Sequence, residues 1–191
     1  MKKIFALFIM MAALFLPQSG AARQGFSLGL GPMGNIYVID SVPILDPGIG
    51  GSMFFQYRFH DQVAFETTFF LTAQDGKTTP GGAVNDTGIL LLGMPVADIK
   101  LFFLGGDRTF DPYISTGLGL YWLTEGSNNN STGGLGLGTQ IGLGFDYYLG
   151  DVVSLGFQGI FRSVPVITSL GTPNSTAIFP YSLMGNVAFH F

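Results

Sequence analysis

The chain has 191 residues, enough for one domain, and only 10% of them are charged while 47% are apolar. A soluble protein usually carries about 25% charged residues, so this composition disfavours an ordinary water-exposed surface. The absence of cysteine excludes disulfide scaffolds and thiolate metal sites, and the formal net charge of −4 gives no reason to expect nucleic-acid binding.

The N-terminus has the pattern of a secretory signal peptide. Lys2 and Lys3 precede an apolar run, Ile4 to Leu16, which is followed by small residues through Ala22. The run is too short for a membrane-spanning helix, which needs about 20 apolar residues. We therefore expect residues 1–22 to be a signal peptide and residues 23–191 to form the mature domain.

The rest of the chain alternates apolar and polar side chains in segments separated by turn residues. This period of two predicts eight strands, at 25–38, 49–59, 63–73, 89–104, 112–124, 135–149, 152–163 and 177–191. The connections alternate between long ones, at 39–48, 74–88, 125–134 and 164–176, and short ones, at 60–62, 105–111 and 150–151. Such alternation is typical of outer-membrane barrels, which have long outer loops and short periplasmic turns. The predicted fold class is all-β, an eight-stranded antiparallel up-and-down transmembrane β-barrel.

The fourth predicted strand is irregular. Leu90, Leu91 and Leu92 are consecutive, and Pro95 lies inside the segment. Proline cannot donate to a strand ladder, so we expect a bulge there.

Charge decides which face of the barrel is predicted to point inward. The few charges on strands are Arg58, Glu66, Asp98, Lys100, Asp146 and Arg162. Three of each sign cannot cover a soluble exterior, but they can neutralise one another in a narrow lumen. We therefore predict a lumenal charge network with the apolar faces outward. Outward aromatics near strand ends are predicted to form interfacial girdles: Tyr57, Phe59, Phe103, Trp122, Tyr147 and Phe191.

Three segments resemble a known family. They are the Asp111–Gly119 stretch DPYISTGLG, the pair GLGFDYYL and SLGF around a tight turn, and the C-terminal face. That face is formed by Tyr181, Leu183, Val187, Phe189 and Phe191. The chain resembles the small eight-stranded outer-membrane proteins of the OmpA/OmpX type, in the outer-membrane β-barrel domain family. The resemblance implies that the C-terminal face is an assembly signal, read by the outer-membrane assembly machinery.

Three functional hypotheses follow. The first is a monomeric outer-membrane protein with a structural or surface-interaction role and at most a narrow pore, in contact with outer-membrane lipid and lipopolysaccharide. The second is a passive channel for small hydrophobic molecules, as the OmpW-like branch suggests. The third is a soluble lipocalin-like ligand-binding barrel. The residues predicted to line the hydrophobic channel are Phe54, Phe70, Leu90, Leu92 and Met94.

No residue pattern predicts an enzyme, a cofactor or a metal centre. The two histidines, His60 and His190, have no paired metal-ligand spacing, although Ser182 and Asp146 could share the lumen face with His190. The loop carboxylates are interpreted as solvated side chains rather than calcium ligands: Asp40, Asp46, Asp75 and Asp86.

Overall fold

The structure is a computed structural model that describes residues 24–38, 47–75, 88–105, 109–127, 130–170 and 177–191. Its strands are β1 (Gly25–Tyr37), β2 (Gly48–His60), β3 (Val63–Gln74), β4 (Gly88–Phe102), β5 (Phe110–Ser127), β6 (Asn130–Tyr148), β7 (Val153–Leu170), β8 (Ala177–Ile178) and β9 (Pro180–His190). The short β8 and the longer β9 are two parts of the eighth barrel strand, interrupted at Phe179. The described residues contain no helix long and apolar enough to cross a membrane.

The strands close into a ring in which each neighbour is antiparallel. Consecutive strands pair from β1 to β7, β7 pairs with β9, and β9 pairs with β1. Following the cross-strand partners once around the ring from Gly25 leads back to β1 at Asn35, ten residues further along. A stagger of this size in eight strands tilts them by roughly 40° from the barrel axis. The predicted fold class is confirmed.

The alternation of side chains separates two environments. The polar residues of β2 and β3 are buried, as in Gln56 and Thr68, whereas Phe55 and Phe65 are 48% and 43% exposed. The same division runs through β6, where Ile141 and Leu143 point outward and Gln140 points inward. The apolar faces therefore look away from the axis. This result contradicts the lipocalin-like arrangement, in which the apolar faces point inward.

Glycines that face the lumen leave space for aromatic side chains from neighbouring strands. Phe54 from β2 lies across Gly29 of β1, and the hydroxyl of Tyr113 lies 2.7 Å from the point where a Cβ of Gly144 would stand. Tyr121 occupies the corresponding space beside Gly138. An eight-stranded barrel is just wide enough to be filled by side chains, so these glycines make room for the rings.

The bulge predicted in strand four lies at Met94 and Pro95, where the pairing of β4 with both neighbours shifts register. Both residues are exposed, so the inward positions change from odd numbers before the bulge to even numbers after it. The prediction that Leu90, Leu92 and Met94 line the lumen is therefore wrong. Leu90 and Met94 are exposed and Leu92 is half-buried.

Three strands are longer than predicted. β5 and β6 continue to Ser127 and Asn130, inside the predicted loop 125–134, and β7 continues to Leu170, inside the predicted loop 164–176. Ladder hydrogen bonds with neighbouring strands hold these segments in an extended conformation, which local side-chain preference does not reveal. Residues 1–22, and most of the two other predicted long loops, lie outside the described part of the chain.

Candidate functional site

The barrel lumen holds nearly all the buried charge of the described residues. All six predicted network residues point inward and are buried: Arg58, Glu66, Asp98, Lys100, Asp146 and Arg162. A seventh charged residue, Asp111, is also buried there and was missed by the sequence analysis, which placed it in a turn. The signal that could have found it is Pro112, because proline is tolerated at the first residues of a strand.

Arg58 closes the end of the lumen at which β1 begins. Its Nη2 lies 2.8 Å from Asp111 Oδ2 and also donates to the backbone carbonyl of Asp61. Its Nη1 donates to the hydroxyl of Tyr148 at 3.2 Å, and its guanidinium carbon lies 3.8 Å from the ring centroid of Phe102. These contacts span the barrel from β2 to β5, because Arg58 and Asp111 belong to strands on different sides of the ring.

Lys100 lies deeper in the lumen than Arg58. Its ammonium group is surrounded by one carboxylate and two aromatic rings. Its Nζ is 2.6 Å from Glu66 Oε2 and donates to the hydroxyl of Tyr113 at 3.4 Å. The same atom is 4.4 Å from the centroid of the Tyr113 ring and 5.1 Å from that of Phe54. A buried ammonium needs both an opposite charge and hydrogen bonds, and this arrangement supplies both.

Gln140 connects Asp98 with Arg162. Its Nε2 donates to Asp98 Oδ2 at 2.6 Å, and its Oε1 accepts from Arg162 Nε at 2.8 Å. Gly117 lies between Asp98 and Gln140 in the cross-strand register, and its missing side chain leaves the space that the hydrogen bond crosses. Arg162 Nη1 donates to Ser182 Oγ at 2.6 Å, so one polar chain extends from β4 to β9.

The outer half of the lumen contains an apolar cluster beside buried polar side chains such as Asn35 and Gln74. The cluster consists of Met33, Phe70, Ile89, Leu91, Val96, Tyr121, Leu123, Val164 and Ile178. Of the residues predicted to line a hydrophobic channel, only Phe54 and Phe70 point inward. The interior therefore changes along the barrel axis from mainly charged, where β1 begins, to mainly apolar at the opposite end, where the Arg162 guanidinium lies 4.4 Å from the Phe70 ring.

The histidines do not form the arrangement considered from the sequence. His190 Nε2 lies 2.8 Å from Ser154 Oγ, whereas Ser182 Oγ donates to Asn35 Oδ1 at 2.7 Å. Among the described residues, no three His, Cys, Asp or Glu side chains are grouped so that they could hold a metal ion. Asp40, Asp46 and Asp86 lie outside those residues.

The C-terminal strand has an apolar outer face. Leu183, Val187, Phe189 and Phe191 are exposed, and Tyr181 is half-buried. The backbone N–H of Phe191 donates to the carbonyl of Phe26 at 2.9 Å, so the last residue is attached to the first strand. The aromatic residues predicted for girdles are exposed, apart from the half-buried Trp122.

The family model of the outer membrane protein beta-barrel domain matches residues 4–159. This chain therefore belongs to the outer-membrane β-barrel domain family, whose members are integral proteins of the Gram-negative outer membrane, and that membrane is its location. A search of curated protein sequences gave no match.

Several solved structures have the same fold. Neisserial surface protein A is 15% identical, with a TM-score of 0.64 over 88% of this chain and 98% of that one. Ail, the attachment invasion locus protein of Yersinia pestis, is 12% identical, with a TM-score of 0.59 over 88% and 99%. OprG from Pseudomonas aeruginosa is 18% identical, with a TM-score of 0.56 over 90% and 99%. None of the three is named as an enzyme, and at these identities the likeness concerns the fold alone.

Proposed function

We propose that this protein is a monomeric, non-enzymatic outer-membrane barrel with a structural or surface-interaction role and at most a very narrow pore. The observation that carries the proposal is the filling of the lumen. Arg58 with Asp111 and Lys100 with Glu66 form ion pairs across it, and side-chain exposure at these four residues is 2% or less. The apolar cluster, together with buried polar side chains such as Asn35 and Gln74, occupies the outer half of the lumen.

Planar-bilayer recording of the purified mature protein tests the closed lumen. We expect no steady current, because hydrated ions cannot pass the rings and ion pairs. The double variant Arg58→Ser/Lys100→Ser, which removes the cation of each ion pair, serves as the control that should conduct. A wild-type conductance comparable to that of a general porin would contradict the proposal.

A structural role and a surface role predict different phenotypes in a deletion strain. Loss of a structural protein should increase sensitivity to detergents and large antibiotics that an intact outer membrane excludes. Loss of a surface-interaction protein should instead reduce attachment to surfaces or cells and leave that sensitivity unchanged. Complementation by the wild-type chain is the control for both measurements. A deletion strain unchanged in both respects would contradict the two roles together.

The apolar cluster of the outer lumen favours a second candidate, a passive channel for small hydrophobic molecules. Such molecules would enter between Leu91, Leu123 and Val164, where the lumen offers no charge to desolvate. This candidate predicts slower uptake of an apolar solute by the deletion strain and recovery on complementation. Leu123→Asp should abolish that recovery, and equal uptake by all strains would argue against the channel.

Assembly by the outer-membrane machinery is the third part of the proposal. The exposed row Leu183, Val187, Phe189 and Phe191 lies on one side of β9, where a protein outside the barrel can reach it. We expect deletion of Phe191 to reduce the folded fraction in the membrane, measured by heat-modifiable gel migration. The matched control is Phe191→Tyr, which keeps an aromatic end and should assemble normally; equal assembly of the deletion variant would contradict this reading.

A further inference from the structure

One cross-strand row of the lumen holds two carboxylates but takes part in only one of the ion pairs of the described residues. Asp111 of β5 is the register partner of Asp146 of β6, Asp146 is that of Gly156 of β7, and Gly156 is that of Asn186 of β9. Asp111, Asp146 and Asn186 are all buried, at 0%, 6% and 6% exposure. Directly opposed residues of neighbouring strands have Cβ atoms about 5 Å apart, so the two carboxylates are adjacent.

Gly156 brings Asn186 toward the acids. A Cβ built on Gly156 would stand 2.5 Å from Nδ2 and 2.6 Å from Oδ1 of Asn186, so the amide fills the place of the missing side chain. The Asn186 amide therefore lies over Gly156 of the neighbouring strand β7, on the side of Asn186 that faces Asp146.

Three polar atoms of this row have no hydrogen-bond partner in the protein. Asp111 uses Oδ2 for Arg58, whereas its Oδ1 has no hydrogen-bond partner, and neither polar atom of the Asn186 side chain has one. The two ion pairs found among the described residues do not include Asp146. Buried polar atoms without partners are uncommon in folded proteins, and a group of them offers a place for ordered water or a bound ion.

The charge count indicates the sign of that ligand. The described lumen buries four carboxylates, of Glu66, Asp98, Asp111 and Asp146, against three cations, of Arg58, Lys100 and Arg162. Glu66 and Asp111 have direct ion pairs, and Asp98 accepts a hydrogen bond from Gln140. The uncompensated negative charge is therefore at Asp146.

We propose that the row Asp111–Asp146–Gly156–Asn186 binds one monovalent hard cation of the sodium class. Carboxylate and amide oxygens are the ligands that hard cations prefer, and one positive charge makes the lumen neutral. Its protein ligands are the carboxylate of Asp146, Oδ1 of Asp111 and Oδ1 of Asn186. Water completes the coordination. The site is separate from the roles proposed above, because a neutral, closed lumen needs the ion whatever the outer loops bind.

Thermal unfolding of the refolded mature protein tests the site. Sodium chloride is compared with N-methyl-D-glucamine chloride, whose large organic cation cannot enter the lumen, at equal ionic strength. We expect the unfolding midpoint to rise by several degrees at saturating sodium, because a ligand that binds only the folded state stabilises it. Asp146→Asn keeps the side-chain shape and should abolish the sodium response.

The matched control is Asp151→Asn, which removes one exposed carboxylate outside the lumen and should keep the response. Asn186→Ala provides a second test that does not change the charge, and it should weaken the response. Equal midpoints of the wild type in the two salts would overturn the proposal, and so would loss of the response in Asp151→Asn. A wild-type midpoint that depends on pH but not on the cation would show that Asp146 carries a proton instead.

Discussion

Lys100 illustrates how this barrel keeps charge inside a membrane. Its ammonium has one carboxylate partner, Glu66 at 2.6 Å, and lies beside the rings of Tyr113 and Phe54. Removing one member of a buried ion pair leaves the other unpaired in a low-dielectric interior, which costs about 3–5 kcal/mol. Replacing both members by apolar residues of similar volume removes that penalty.

At the residue scale we therefore predict that Lys100→Met lowers the free energy of unfolding by about 3–5 kcal/mol. The double variant Lys100→Met/Glu66→Leu should recover most of this loss, since no charge remains unpaired. Urea unfolding of the protein in lipid vesicles, followed by tryptophan fluorescence of Trp122, measures both. Equal losses in the single and double variants would show that the pair is not a coupled unit.

A second residue-scale prediction concerns glycines on the two faces of the wall. A Cβ on Gly138 would lie 2.7 Å from the Ser163 carbonyl oxygen and 2.9 Å from the Tyr121 ring, whereas one on Gly185 would meet nothing within 4 Å. Gly138→Ala should therefore destabilise the barrel by roughly 1–3 kcal/mol. Gly185→Ala should have little effect, and similar unfolding curves for the two variants would contradict the packing described.

At the element scale, β4 shows how one bulge changes the environment of a whole segment. Because of the extra residue at Met94–Pro95, odd-numbered residues face inward before the bulge and even-numbered residues face inward after it. Leu91 is therefore 1% exposed and Leu90 is 39% exposed. An apolar run of three leucines contains no signal that distinguishes these two positions. Only the register with β3 and β5 makes Leu91 part of the lumen.

This arrangement predicts different behaviour for labels at neighbouring positions. The chain has no cysteine, so Leu90→Cys and Leu91→Cys each provide a single attachment site. A spin label at residue 90 should be accessible to oxygen dissolved in the lipid, whereas residue 91 should label slowly and stay inaccessible. The reverse order would mean that β4 is paired one residue out of register.

At the scale of the whole molecule, the lipid-facing wall is apolar from the rim to the middle of the strands. Ile141 and Phe59 are both 51% exposed, but Ile141 lies in the interior of β6 and Phe59 at the periplasmic end of β2. The cost of a charge on the outer wall depends on depth, at about 2–4 kcal/mol for arginine at the midplane and about 0–1 near the interfaces.

We expect Ile141→Arg to destabilise the barrel by about 2–4 kcal/mol and Phe59→Arg by about 1 kcal/mol or less. Unfolding in vesicles measures the difference, and heat-modifiable gel migration confirms that each variant still folds. A soluble barrel would tolerate both substitutions equally, so equal small effects would contradict the membrane-spanning orientation.

The amino-acid sequence alone determines the class of this protein. The period of two separates apolar from polar side chains in each strand, and the scarcity of charge decides that the apolar side faces lipid. Arg58, Glu66 and Lys100 could be assigned to the lumen for the same reason, since both signals act within a single strand and need no partner.

Only the tertiary structure decides which lumen groups meet. The alignment of the strands with one another decides which residues face the lumen and which of them are neighbours. It pairs Arg58 with Asp111, turns Leu91 rather than Leu90 inward, and forms the row from Asp111 to Asn186. A shift of one residue in register moves every side chain of a strand to the other face. That alignment is set by closure of the whole ring and by the bulge in β4, which no local stretch of sequence encodes.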